Sequence, residues 1–559
     1  MNQSAGWEDY KDFAGNPLLW LVLLLTVCLI YTLNGRQSAP GARLSPVALT
    51  ATAPGLAPLP APGISRTPAA ISQAPDLPPD HVTASPLRPA AGALPTPSLG
   101  AKALILFLFA AIYALAYQPW ANYTLLFTLG ALAATYAGAQ LGFYTPGMAW
   151  QALAGNLDIL CFLAGMNLLT EALSLAGVFE YLGGRVAALA SGDHWRLMLG
   201  FCLSTYAVSL LVNNLTTMMV LVPIVLNLCK RLKLEPRPYL VGMIVASNLG
   251  GASTMIGDFP NILIAARAGV GFNQFLVHMM PICLALLAVT LAYLRVTQAA
   301  LWELQPEKAD TPARPAYDPL FAPERRGARA GYESPFADIG KRASGVFADS
   351  TAAVRGLAIL GAALIAFIFC DLAGIPPALI AAGAGLAALF LTGLDKGRLL
   401  KGLAYRDLLF FAALFVLVGA ARASGLLDWF GELIFHLSFG SMLLRCLLLM
   451  WVAAAATALL NAGPCTALFI PLIFAFKTAA PDNLYWWSLS LGVLAGSSAT
   501  LTGATAGSVT ATLLSTHQAR AGRTGGLLTF RGYAREAAPL ALIFLAVSSL
   551  YITWLYWLG

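Results

Sequence analysis

The feature that most constrains this chain is a series of apolar segments with the composition of membrane-spanning helices. Examples are Leu18–Leu33, Ala103–Tyr117, Gly356–Leu372 and Ala537–Leu558. A helix that crosses a bilayer needs about 20 mostly apolar residues. Hydrophobic residues make up 58% of the 559 residues and charged residues only 11%, whereas soluble proteins carry about 25% charged residues. The sequence therefore predicts an all-α polytopic membrane protein that is embedded in the lipid bilayer.

Charge and motifs exclude several classes of function. The net charge is +7, but the basic residues lie mostly in short loops beside apolar segments, where they set membrane orientation. Nucleic acid is therefore not a predicted partner. The chain has no GxxxxGK[ST] loop, which argues against an ATP-driven pump. No nucleophile–base pair and no metal-ligand spacing of histidines stands out, so we predict neither an enzyme nor a bound cofactor.

Composition divides the chain into five segments. Residues 1–34 would form an N-terminal segment with one anchor helix, because the leading residues are acidic and no clear cleavage site follows. Residues 35–100 are rich in Pro, Ala, Ser and Thr, which predicts a disordered tether. Residues 101–296 and 354–559 would form two membrane repeats, and a cytoplasmic loop at 297–353 would join them.

The two membrane segments resemble each other at polar positions as well as apolar ones. Four blocks match in the same order at separations of 246–249 residues, which the general likeness of hydrophobic helices does not explain. The matching pairs are Asp158 and Asp407, Asn213 and Asn461, Pro223 and Pro471, and Gly251–Gly257 and Ser497–Gly503. We therefore predict an internal repeat.

Loop charges predict that the repeats are inverted relative to each other. The loop Lys230–Arg237 is strongly basic, whereas the corresponding loop Lys477–Trp487 is poor in cations and rich in aromatic residues. The loop after the glycine-rich block shows the opposite bias, with only Arg267 in the first repeat and four arginines in the second, Arg520, Arg523, Arg531 and Arg535. Basic loops face the cytoplasm, so corresponding loops lie on opposite sides, as in many transporters.

Two kinds of polar block interrupt the apolar helices. Ser209–Thr217 lies within an apolar stretch that has basic residues at both ends, which predicts a re-entrant hairpin with a second copy at Leu460–Thr466. Ala246–Asn261 combines three glycines, a proline and Asp258, which predicts a spanning helix that is broken near the midplane. The second copy, Gly496–Ser508, has many hydroxyl groups and no acid.

Close helix packing is the alternative explanation for these blocks, because small residues let membrane helices approach each other. Packing does not explain Asp258, since a carboxyl group within an apolar span is costly and usually functional. Asp158 and Asp407 begin equivalent helices, where they would stabilise the helix dipole. Arg422 and Arg445 would extend their charges toward the membrane surface or flank the site.

The block Asn248-Leu-Gly-Gly-Ala-Ser-Thr-Met-Ile-Gly-Asp-Phe-Pro-Asn261 resembles a motif of the ion transporter superfamily. That group includes arsenite permeases, D-type sodium/proton antiporters, the P-protein and citrate transporter-like permeases. The P-protein branch is the most similar, because Val212–Thr217 resembles its hairpin motif and Asp407-Leu-Leu-Phe-Phe resembles one of its helices. The resemblance covers about 101–558. It implies paired re-entrant hairpins and paired broken helices around a site at the midplane.

Carried over position by position, the resemblance implies two half-sites. The first would contain Asn213, Asn214, Thr216, Thr217, Asn248, Gly251, Ser253, Thr254, Asp258 and Asn261. The second would contain Asn461, Thr466, Ser497, Ser498, Thr500 and Thr502. If sodium binds, these are the residues that would hold it. Three departures weaken any assignment of substrate: Phe259 replaces a proline, the second hairpin lacks an acid, and neither hairpin tip carries Ser-Asn-Thr.

These features predict a secondary active ion transporter that works by alternating access, coupled to H⁺ or Na⁺ as antiporter or symporter, with a small inorganic ion or small anion as its ligand. A dicarboxylate or oxyanion permease, a channel, and a scaffold or sensor that recruits partners through its tether are the alternatives. The predicted location is the bacterial inner membrane or a membrane derived from it. A homodimer stays open as the assembly state.

Overall fold

The computed structural model describes residues 98–116, 122–189, 193–231, 234–298, 349–476, 483–520 and 528–558. Within these ranges the chain forms twenty α-helices and no β-strand. The predicted anchor helix, nearly all of the predicted tether and most of the loop at 297–353 lie outside the described residues.

The described helices fall into two sets of ten. The first set is α1 Leu99–Ala116, α2 Tyr123–Gln140, α3 Pro146–Ala154, α4 Leu157–Leu175, α5 Val178–Leu189, α6 His194–Ser209, α7 Asn214–Arg231, α8 Arg237–Ser253, α9 Phe259–Ala268 and α10 Phe272–Thr297. The second set is α11 Ser350–Ala373, α12 Pro377–Leu391, α13 Lys396–Gly402, α14 Tyr405–Ala423, α15 Leu426–Leu437, α16 Met442–Leu460, α17 Ala462–Ala475, α18 Leu484–Ala499, α19 Thr505–Arg520 and α20 Phe530–Leu558. Helix α11 begins four residues before the predicted start of the second repeat at 354.

The two sets correspond helix by helix, from α1 with α11 to α10 with α20, which agrees with the predicted repeat. Seven helices among the described residues are long and apolar enough to cross a membrane. Several large apolar side chains on these helices and their neighbours are exposed, including Phe107, Leu379 and Leu550. Such side chains suit a surface that contacts lipid tails rather than water. The protein is therefore an integral membrane protein, as the sequence predicts.

Each repeat contains one hairpin and one broken helix at the predicted positions. Residues 210–213 separate α6 from α7, and Asn461 alone separates α16 from α17, with a positive φ of 77°. Residues 254–258 separate α8 from α9, and residues 500–504 separate α18 from α19. The structure confirms the predicted fold class, an all-α inverted-topology repeat with paired hairpins and broken helices.

The repeats pack against each other through reciprocal helix pairs. Helix α4 packs on α12, and its counterpart α14 packs on α2, the counterpart of α12. Likewise α7 packs on α19 and α17 packs on α9. Reciprocal pairs of this kind are expected when a two-fold axis relates the repeats. The α4–α12 pair is so close that a side chain at Gly165 would overlap the backbone of Ala381.

Arg445 is buried inside the protein and is not exposed at its surface. The side chain is buried in α16, where Nη1 donates to the Tyr485 hydroxyl at 2.9 Å and Nε donates to Ser438 Oγ at 3.3 Å. Its guanidinium also lies over the Phe435 ring, 4.4 Å from the ring centroid. A charge with these partners can stay inside the protein, because planar guanidinium groups combine hydrogen bonding with stacking.

Candidate functional site

The side chain of Asn213 caps the helix that begins at the tip of the first hairpin. Asn213 lies just before α7, and its Oδ1 accepts a hydrogen bond from the Thr216 amide at 2.9 Å. This bond satisfies one of the free N–H groups at the start of a helix. The Asn213 Nδ2 donates to Asn167 Oδ1 on α4 at 3.3 Å, so the tip is also attached to a neighbouring helix.

A buried polar network joins this tip to the first broken helix. Asn214 Nδ2 donates to Asp258 Oδ2 at 2.9 Å, and Asn214 Oδ1 accepts from the Ser209 hydroxyl at 2.5 Å. Asp258 Oδ1 caps α9 by accepting from the Phe259 amide at 2.9 Å. Asn214 is 1% exposed. The carboxylate of Asp258 thus receives one donor on each oxygen, and it lies at the positive end of the α9 dipole.

The breaks in the two broken helices are held by the same pair of hydrogen bonds between a Thr hydroxyl and the backbone. In the first repeat, Thr254 Oγ1 donates to the Leu210 carbonyl at 2.6 Å and accepts from the Gly257 amide at 3.1 Å. In the second repeat, Thr500 Oγ1 donates to the Ala458 carbonyl at 2.7 Å and accepts from the Gly503 amide at 3.0 Å. The Thr hydroxyl therefore ties each broken helix to the adjacent hairpin.

The polar network itself is not repeated. The positions equivalent to Asn214, Asp258 and Asn248 carry Ala462, Ala504 and Leu494, which are apolar. The second tip keeps only its asparagine, and Asn461 Nδ2 donates to the Thr502 carbonyl at 3.1 Å. The two half-sites therefore share a backbone but differ in chemistry.

The two tips and the two breaks meet at one cavity of about 130 Å³. Of the predicted site residues, four line it: Asn213, Asn214, Asp258 and Asn461. The remaining twelve do not line it: Thr216, Thr217, Asn248, Gly251, Ser253, Thr254, Asn261, Thr466, Ser497, Ser498, Thr500 and Thr502. Their contact with a ligand stays a prediction.

Several of those twelve residues have structural partners. Asn261 Nδ2 donates to the carbonyls of Gly251 at 2.7 Å and Thr254 at 2.9 Å, which braces the break. Asn248 Nδ2 donates to the Ser497 carbonyl at 3.1 Å and so joins the two broken helices. Thr466 Oγ1 donates to the carbonyl of Ala462 within its own helix.

The structure also places residues at the cavity that sequence reasoning did not assign to the site. They are Asn167 and Thr170 from α4, Asp407, Phe410 and Phe411 from α14, and Phe259 and Pro260 from α9. Asp407 lies in the first turn of α14, as predicted for a dipole role, but it also lines the cavity. Its counterpart Asp158 is exposed and does not line it. The dipole prediction was therefore incomplete for Asp407.

The described lining of the cavity is acidic. Its lining residues include two aspartates, Asp258 and Asp407, and none of the lining residues that the structure describes is Lys, Arg or His. An aromatic pair lies beside Asp258, because the rings of Phe259 and Phe411 stack with centroids 3.6 Å apart. Across the described part of the chain no group of three or more His, Cys, Asp and Glu forms a metal site.

Comparison with known proteins agrees with a membrane transporter. The model of the citrate transporter family matches residues 104–492. The magnetosome protein MamN of Magnetospirillum gryphiswaldense is 35% identical over 80% of this chain and 98% of its own length. The uncharacterized transporter Rv2685 of Mycobacterium tuberculosis is 31% identical over 71% of this chain and 86% of its own length.

The human P protein is 27% identical over 80% of this chain and 59% of its own length. Among solved structures, the YdaH transporter of Alcanivorax borkumensis matches 82% of this chain and 98% of its own, at 15% identity and a TM-score of 0.47. The resemblance predicted from the Gly-Asp-Phe-Pro-Asn block is confirmed by the family match and the sequence relatives. Several of them are bacterial, in agreement with the predicted membrane location.

Proposed function

We propose that this chain, which belongs to the citrate transporter family, is a secondary active carrier of a small inorganic cation. Transport of that cation would be coupled to H⁺ or Na⁺, by antiport or symport. The observation that carries the proposal is the cavity between the hairpin tips, which two aspartates line without a basic residue among its described lining. The remaining polar groups there are amides and hydroxyls, which suit a partly dehydrated cation.

Electrostatics favours a cation over a polyanion in this cavity. Two unit charges 4 Å apart interact by about 4 kcal/mol at an effective dielectric constant of 20. Asp258 and Asp407 would therefore attract a cation and repel a dicarboxylate or tricarboxylate. A citrate-like anion would need a cationic partner at the site, and the described lining supplies none.

Asp258 is the residue that we propose to couple ion binding to movement. Both of its oxygens accept N–H donors, from Asn214 and from the Phe259 amide. Hydrogen bonds to a charged acceptor are about twice as strong as those to a neutral one. Neutralising the carboxylate with a proton, or occupying it with a cation, would weaken the attachment of the hairpin tip to the broken helix. Movement of one helix bundle against the other would then expose the cavity to the opposite side.

Transport by the purified full-length protein in proteoliposomes tests the proposal. Uptake of Na⁺, K⁺ and divalent cations would be measured with and without an imposed pH gradient, for the wild type and for Asp258→Asn and Asp407→Asn. Asp158→Asn is the matched control, because Asp158 begins the equivalent helix of the first repeat but does not line the cavity. Coupled cation flux that survives in Asp258→Asn would refute the role of Asp258.

Citrate is the second candidate substrate, and the family description favours it. The same liposomes loaded with citrate, sulfate or arsenite separate it from the cation proposal. Gradient-driven citrate uptake without cation flux would replace the proposal by an anion permease. Flux that is neither saturable nor gradient-coupled would indicate a channel, and normal cellular function after substitution of both Asn214 and Asp258 would favour a scaffold.

A further inference from the structure

A second cavity lies apart from the transport site, at the ends of three helices. It has a volume of about 350 Å³ and is formed by the start of α8, the end of α10 and the start of α20. Its rim carries Arg237, Gln298, Arg535 and Glu536. None of the predicted site residues lines it, so the proposed function does not account for it.

The rim has a net positive charge. Arg237 Nη2 forms an ion pair with Glu536 Oε1 at 2.6 Å and donates to the Gly532 carbonyl at 3.0 Å. The Arg237 side chain is 31% exposed, so part of its guanidinium stays accessible beside the ion pair. Arg535 is exposed and makes no ion pair within the described part of the chain. The two arginines and one glutamate have a net charge of +1. Because Glu536 pairs with Arg237, the excess positive charge lies on Arg535.

Beyond the rim, the residues of α8 and α20 that line the cavity are apolar or glycine. On α8 the lining runs from Arg237 to Val241 and Val245. The distance along the helix from the first to the last of these residues is about 12 Å, at 1.5 Å per residue. Helix α10 contributes Leu294 together with Thr290 and Tyr293, whose hydroxyls already donate to the carbonyls of Leu286 and Glu536. The cavity thus has a charged mouth and an interior of apolar side chains and of hydroxyl groups that already donate hydrogen bonds within the protein.

The mouth faces the cytoplasm in the predicted topology. The basic loop Lys230–Arg237 leads into α8, the predicted cytoplasmic loop leaves α10, and Arg520–Arg531 lead into α20. Anionic lipid is enriched in the cytoplasmic leaflet, and basic pockets between transmembrane helices on that side bind its phosphate groups.

We propose that this cavity binds an anionic phospholipid. The phosphate lies at the rim between Arg535 and the partly exposed guanidinium of Arg237, both of which line the cavity. The glycerol and the first part of an acyl chain occupy the floor along Val241 and Val245. A free phosphate ion would use only the rim and would leave the rest of the cavity, about 12 Å long along α8, without an occupant, so the shape favours the lipid.

Binding of added phospholipid to the purified protein tests the site directly. Full-length protein in detergent would be titrated with phosphatidylglycerol and analysed by native mass spectrometry, with phosphatidylcholine as the zwitterionic comparison. We expect Arg535→Gln to lower the apparent affinity for phosphatidylglycerol about fivefold, which is the factor expected for one cation at an anionic membrane surface. Arg535 is exposed, so the variant should fold.

Arg398→Gln is the matched control, because Arg398 is exposed and lies on the basic helix α13, outside this cavity. It should bind phosphatidylglycerol like the wild type. Equal phosphatidylglycerol binding by Arg535→Gln and the wild type would overturn the site. In a parallel thermal-stability assay, stabilisation by inorganic phosphate that matches stabilisation by phosphatidylglycerol would overturn the lipid assignment in favour of a free phosphate site.

Discussion

The side-chain amide of Asn214 donates to a carboxylate oxygen of Asp258 across 2.9 Å. This bond joins the tip of the first hairpin to the first residue before α9, two elements that are 44 residues apart in sequence. The second repeat has Ala462 and Ala504 at the equivalent positions. The polar junction therefore exists on one side of the pseudo-two-fold axis only, and any coupling through it is asymmetric.

Truncation of Asn214 should weaken this junction. Asn214→Ala leaves Asp258 Oδ2 without its donor, whereas the Ser209 hydroxyl keeps the Ser247 carbonyl as an acceptor at 2.8 Å. Loss of a buried partner costs about 1–3 kcal/mol, and more when the group is charged. We expect lower thermal stability in detergent and a loss of coupled transport in liposomes. Asn273→Ala removes an exposed hydrogen bond to the Ile368 carbonyl and should change neither measurement.

The close approach of α4 and α12 gives a second prediction, which concerns stability alone. Gly165→Ala would push a methyl group into the Ala381 carbonyl, and a Cβ added at the opposing Gly385 would lie 2.6 Å from the Gly165 carbonyl oxygen. Forcing extra volume into a packed interface costs about 1–3 kcal/mol, so thermal stability should fall.

Gly383 provides the control for that experiment, because it lies on α12 with open space around it. Gly383→Ala should leave stability unchanged or raise it, since alanine favours a helix over glycine by about 0.5–1 kcal/mol. Equal effects of the two substitutions would show that α4 and α12 do not approach each other this closely.

Much of the fold could be predicted from the sequence because its signals are local. Long apolar runs define the spanning helices, and the breaks at Asn461 and before Asp258 are marked by polar and turn-forming residues within the apolar background. The repeat could be predicted because four blocks match in the same order, and one of them contains the Thr that ties each break to its hairpin, Thr254 and Thr500.

The lining of the site was harder to predict, because it depends on how the repeats dock. Asp407 and Asp158 are equivalent in sequence, yet only Asp407 lines the cavity. The difference arises from packing between distant helices, which no local pattern encodes. Thr254 and Asn261 match the family motif as well as Asp258 does, but their side chains bond to backbone groups that the helix break leaves free.

Contact between the two broken helices gives a third prediction. Asn248 Nδ2 donates to the Ser497 carbonyl at 3.1 Å across the repeat interface, and the equivalent residue in the second repeat is Leu494. Asn248→Leu should lower thermal stability, because the Ser497 carbonyl loses its buried donor at a cost of about 1–3 kcal/mol.

Ser490→Ala is the control for Asn248→Leu. The Ser490 hydroxyl also crosses the repeat interface, but it lies 3.5 Å from Asn261 Oδ1, which is a weak hydrogen-bond distance. We expect little change in thermal stability from Ser490→Ala. A larger loss from Ser490→Ala than from Asn248→Leu would contradict the assignment of Asn248 as the link between the repeats.

Phe259 allows a test of how the Asp258 carboxylate is held. Its amide donates to Asp258 Oδ1 at 2.9 Å, and its ring stacks on Phe411. Phe259→Pro removes both interactions, whereas Phe259→Leu removes only the stacking. Proline fits the backbone, because Phe259 is the first residue of α9 and Asp258 already has the extended φ and ψ, −149° and 151°, that a residue before proline adopts. We therefore expect both variants to fold.

The two Phe259 variants should differ in the pH dependence of transport, measured in proteoliposomes. Phe259→Pro should alter the pH dependence more than Phe259→Leu, because only proline removes a hydrogen-bond donor from the Asp258 carboxylate. A carboxylate that loses a donor is protonated more readily. Identical pH profiles for the two variants would show that the amide of Phe259 has no part in holding the charge of Asp258.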